Sequence, residues 1–103
     1  MVNGIRAAIM LIQNYIRRGI NTVPAIIQRW CPDETAPSYT KYVVGRMKAF
    51  MPTFEKKDPI HRQDYKTLMR LVQAMSKLES HYEISDREFE EAWKLISGLR
   101  PND

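Results

Sequence analysis

The sequence predicts an all-α fold: a single domain of about five helices over residues 1–103, with one irregular internal segment at 52–59. Three observations carry this. Apolar side chains recur at helical spacing, helix start and stop signals punctuate the runs, and no alternating strand of convincing length or internal repeat is present. A chain of 103 residues has room for one modest core and not for two.

Ile5, Ile9, Ile12 and Ile16 fall on one helical face, which predicts a first helix from Asn3 to Arg18 with Asn3 as its cap. Arg6, Gln13, Asn14 and Arg17 would point outward, and Gly19 supplies the left-handed residue that stops the helix. Thr22 can cap a second helix with Pro24 in its first turn, where a missing backbone donor does little harm. Ile26, Ile27 and Trp30 would face inward, and Cys31-Pro32 ends the helix.

After an Asp33–Pro37 loop, Thr35 or Ser38 can cap a third helix bearing Tyr39, Tyr42, Val43, Met47 and Phe50, weakened locally by Gly45. Pro52 to Pro59 has no periodicity and reads as the most mobile internal stretch. A fourth helix is expected from about Ile60 to Ser80, with Tyr65, Leu68, Val72 and Met75 on its apolar face and Leu71 and Leu78 widening it. Ser85 and Glu88 form a capping box for a fifth helix that buries Phe89, Ala92, Trp93 and Ile96 and stops at Gly98 and Pro101. The expected core is Ile9, Ile12, Ile16, Ile27, Trp30, Tyr42, Leu68, Val72, Phe89, Trp93 and Ile96.

Composition excludes more than it assigns. No stretch approaches the roughly 18 apolar residues of a membrane span, so no membrane partner is expected and the chain reads as cytoplasmic when synthesised. One cysteine, Cys31, permits neither an internal disulfide nor a CxxC metal site, and it reads as a small buried side chain. His61 and His81 are separated by the fourth helix, about 30 Å, and cannot share a metal. No cofactor is expected, since phosphate-binding glycine loops, HExxH and the nucleophile elbow are all missing.

The net charge of +4 is unevenly spread: residues 1–51 carry seven Lys or Arg against two acids, and residues 83–103 carry three against six. Arg29, Lys41, Arg46 and Lys48 are the candidate polyanion contacts, on phosphate or an anionic wall polymer, with a solvated face as the plain alternative. Three short basic helices also admit a DNA-binding reading, although Tyr39, Tyr42, Val43 and Phe50 are poor base readers.

The one candidate catalytic residue is Glu79, which continues the apolar face of the fourth helix to its C-terminal end. A carboxylate there is unfavourable beside the helix dipole, the setting of a general acid in glycoside hydrolysis. Hydrolysis needs a second carboxylate, and Asp33, Glu34 and Glu55 are the unplaced candidates. The alternative is an exposed Glu79, or one paired with Lys77, Arg70 or His81. Trp30 and Trp93 occupy apolar helix phases, which favours core packing over sugar stacking.

Gly4-Ile5-Arg6-Ala7, Leu11, Tyr15, Gly19, Asn21-Thr22-Val23, Ile26-Ile27, Arg29-Trp30, Pro32, Tyr39 and Val43 together resemble a family of phage and prophage virion structural proteins to which a lysozyme-like fold is attributed. Leu71-Val72-Gln73-Ala74-Met75 followed by Glu79 is similar to that family's closing section. The resemblance covers most of the chain but falls mainly on core and corner residues. It departs in two places: the family's Asn-Asn-Pro-Asn-Ile type segment does not precede Gly4, and the loop at 33–37 lacks an asparagine-rich pattern. The resemblance implies a noncatalytic or degenerate peptidoglycan-associated protein, associated with the virion. An active muramidase-like hydrolase using Glu79, and a DNA-binding or protein-interaction module, are the alternatives.

Overall fold

The computed structural model describes residues 2–96 and forms five helices: α1 (Val2–Arg17), α2 (Val23–Trp30), α3 (Ala36–Phe50), α4 (Tyr65–Ser80) and α5 (Asp86–Lys94). There is no strand among the described residues, so the fold is all-α. The proposed stop at Gly98 and Pro101 lies outside the described residues.

Local chemistry explains most boundaries. Gly19 adopts φ 89°, its amide donates to Ile16 O at 3.0 Å, and the Ile20 amide reaches back to Tyr15 O at 2.9 Å. These are the paired bonds of a Schellman stop, which needs a left-handed residue at that position. The Thr22 hydroxyl accepts from the Ala25 amide at 3.4 Å to start α2. Ser85 and Glu88 close the reciprocal capping box of α5.

Three helix starts differ in detail from the sequence expectation. Asn3 lies inside α1 and does not cap it. Thr35 stands at the start of α3 without a side-chain cap: Asp33 organises the turn by accepting from the Thr35 amide at 2.8 Å and from its hydroxyl. Ser38 lies within α3 and donates to Thr35 O. Helix α4 starts at Tyr65, five residues later than Ile60, because Asp64 caps it through the Thr67 amide.

The segment 52–59 is irregular, as its composition predicts, and is fastened at its ends. Phe54 and Ile60 are buried in the core, and the Ile60 amide donates to Asn21 O at 2.8 Å across the chain. Within the segment the Glu55 amide donates to Asp58 Oδ2, and Lys48 pairs with Glu55 at 3.7 Å.

Helix α3 lies against α4, α5 packs on α1, and α2 bridges to α3. The shared core includes Ile9, Ile12, Ile27, Leu68, Val72, Phe89, Trp93 and Ile96 as expected, together with Ile5, Ile26, Val43 and Met47. Ile16, Trp30 and Tyr42 are only half-buried at its edge, and Phe50 is 57% exposed. These residues stand toward the ends or flanks of their helices, where the outermost apolar phases reach the surface. At the other end, Tyr65 meets Phe89 and Trp93 edge-on with ring centres 5.4 and 5.3 Å apart. That aromatic cluster accounts for Trp93 as a core residue.

Candidate functional site

Three helix ends converge on Glu79. Trp30 is the last residue of α2, Tyr39 stands in the first turns of α3, and Glu79 is the penultimate residue of α4. The Trp30 indole Nε1–H donates to Glu79 Oε2 at 2.9 Å, and the Tyr39 hydroxyl donates to the same oxygen. Helix α4 can end just beyond it because His81 takes the left-handed conformation at φ 59° and its amide returns to Lys77 O.

This arrangement changes the sequence reading of both residues. Glu79 is exposed, not partly buried, and its partners are neither Lys77, Arg70 nor His81. Trp30 is half-buried and lines a cleft, where the apolar phase of α2 had predicted a core anchor. Tyr39 was missed as a site residue because its apolar position on α3 concealed a polar task for its hydroxyl. Burial first, then the hydrogen bond and charge of Glu79, push the Tyr39 hydroxyl far above the ordinary tyrosine range. Tyr39 therefore stays a donor in any ordinary solution.

Glu79 stands at the seam of two concavities. One, of about 290 Å³, is walled by Gly4, Ile5 and Ala8 of α1, Trp30, Val72 and Met75, with Ser76 and Ser80 on its rim. The other is shallow and bounded by Thr35, Ser38, Tyr39, Tyr42 and Leu78. Glu79 is the one carboxylate among the described residues that line either cleft. Asp33 is engaged by Thr35, whose hydroxyl and amide hold its carboxyl below the usual carboxylate range, and Glu55 pairs with Lys48.

The site combines an apolar wall, an indole, hydroxyls and one tethered carboxylate. Both bonds fall on Oε2, and Oε1 has no partner among the described residues.

The candidate polyanion residues on α3 do not share one face. Arg29 and Lys41 are exposed, and Lys48 is taken by Glu55. Lys41 and Lys48 share a face of α3, whereas Arg46 is rotated from Lys41 by about 140° and sits over the Tyr42 ring at 5.9 Å. Cys31 is half-buried rather than enclosed, with its Sγ near Asp33 Oδ1 and Thr35 Oγ1. His61 and His81 are both exposed, and no three potential metal ligands gather among the described residues. No helix among those residues is long and apolar enough to cross a membrane.

Fold and site define a small all-α domain with an aromatic-tethered carboxylate between two clefts. No family model, curated protein or solved structure matches the chain, so the resemblance to phage virion proteins rests on the core and corner residues of the sequence.

Proposed function

We propose that this chain is a noncatalytic, phage-type peptidoglycan-associated module that binds glycan at Trp30 and Glu79, with Tyr39 holding the carboxylate in place. The observation that carries the reading is the double tether on Glu79 Oε2 at the mouth of an apolar, indole-walled cleft. Sugar rings present apolar faces and hydroxyl edges, which match an aromatic wall beside a carboxylate and serine hydroxyls. Because the indole N–H is already committed to Glu79, Trp30 offers its face.

Two points support a noncatalytic or degenerate member over an active muramidase-like hydrolase. Glu79 has no second carboxylate within the described cleft linings, and it is exposed to water. A lysozyme-like ancestry and virion association belong to this same proposal and rest on the sequence resemblance. The DNA-binding alternative is disfavoured because Arg46 stands on a different face of α3 from Lys41 and Lys48, and Lys48 pairs with Glu55.

Cosedimentation with purified peptidoglycan sacculi tests the reading. The wild type should pellet with sacculi, Trp30→Ala should do so weakly while keeping its helical circular dichroism, and no soluble muropeptides should appear. Muropeptide release abolished by Glu79→Gln would establish the hydrolase instead. Failure to pellet, with a gel shift on DNA that fades steeply with salt, would establish the nucleic-acid module. Binding to neither would leave a protein-interaction module.

A further inference from the structure

A cleft of about 220 Å³ lies between α3, α4 and the α4–α5 connection, on a face of α4 roughly opposite Glu79. Three cations line it, Arg46, Arg70 and Lys77, against two carboxylates, Glu83 and Asp86. Phe50 forms an exposed aromatic wall.

Arg70 is held in place from three sides. Its guanidinium carbon sits 4.0 Å from the Phe50 ring centre, and Nη1 donates to Gln73 Oε1 at 3.1 Å and Asp86 Oδ1 at 3.2 Å. Gln73 in turn donates to Asp86 Oδ1 and to Ile84 O, which fixes the connection under the cleft. The fork is thus oriented while Nε and Nη2 have no acceptor among the described residues. Lys77 is paired with Glu83 at 3.7 Å. Arg46 makes no ion pair or hydrogen bond among the described residues and sits over the Tyr42 ring.

From this geometry we infer a binding site for a small organic carboxylate with an apolar body. The oriented Arg70 fork and the unpaired Arg46 receive the carboxylate, and Phe50 packs against the apolar part. Three cations against two acids leave one positive charge, which suits a monoanion. A dianionic phosphate would crowd Glu83 and Asp86. The inference does not rest on the glycan proposal, although Ile84 borders both clefts.

The test is an amide-detected NMR titration with N-acetylphenylalanine, N-acetylphenylalaninamide and inorganic phosphate. The acid should shift the signals of Phe50, Gln73 and Ile84 with a Kd on the order of 1 mM, as a small exposed site allows. The amide and phosphate should bind at least about tenfold more weakly. Arg46→Gln should weaken the acid by about tenfold, and Arg46→Lys by less. Equal binding of acid and amide, preference for phosphate, or no response to the acid would overturn the inference, whatever the outcome with sacculi.

Discussion

Removing the Glu79 carboxylate should destabilise the fold, the opposite of what a strained catalytic acid would do. In Glu79→Ala the Tyr39 hydroxyl, on a side chain only 7% exposed, loses its acceptor. A buried donor left unsatisfied costs about 1–3 kcal/mol. Trp30 is half-exposed, so its N–H can turn to water and adds little. Since Glu79 is itself exposed, its charge is discounted for screening, and the expected loss is about 2 kcal/mol. For a domain of this size that lowers Tm by roughly 10 °C. Tyr39→Phe, which removes the donor together with the need for an acceptor, should cost about 1 kcal/mol. Urea denaturation of both single variants and the double variant supplies the coupling, expected to be about 1 kcal/mol because the two changes break one bond. Unchanged or raised stability in Glu79→Ala, or strict additivity in the double variant, would refute the tether and restore a strained catalytic carboxylate.

Alkaline stability follows from the same pair. A folded-state proton affinity raised at Tyr39 keeps stability intact below the unfolded value of about 10, with loss as pH rises beyond it. The decline above pH 10, followed by circular dichroism, should be shallower in Tyr39→Phe. Gly45, exposed in the middle of α3 with open space where a side chain would sit, should accept alanine with a gain of about 0.5–1 kcal/mol in urea denaturation. Gly19→Ala should lose stability instead, since φ 89° strains any side chain there. Hydrogen exchange should find the Ile60 amide protected by Asn21 O, while the Lys56 and Lys57 amides, without acceptors among the described residues, exchange quickly.

What the sequence made legible was local. Gly19, Thr22-Val23-Pro24 and Ser85 to Glu88 act within a few residues of themselves, so their chemistry reads directly as helix stops and starts. The start of α4 was misplaced because Ile60 fits a helical phase, yet tertiary structure uses it as an anchor beneath the Asn21 corner. Glu79 stood out as a charge on an apolar face, but its meaning came from Trp30 and Tyr39, which lie 49 and 40 residues away in the chain. An apolar phase cannot tell a tryptophan sealed in the core, such as Trp93, from one at its rim, such as Trp30. That distinction depends on how far neighbouring helices extend, which periodicity does not encode.

The measurement that bears most directly on glycan recognition without cleavage is the indole N–H resonance of Trp30 during titration with a soluble disaccharide muropeptide oligomer. Glycan seated against Trp30 should move that signal progressively, leave the buried Trp93 signal in place and return the oligomer intact. An unmoved Trp30 signal, or an oligomer shortened during the titration, would contradict the account.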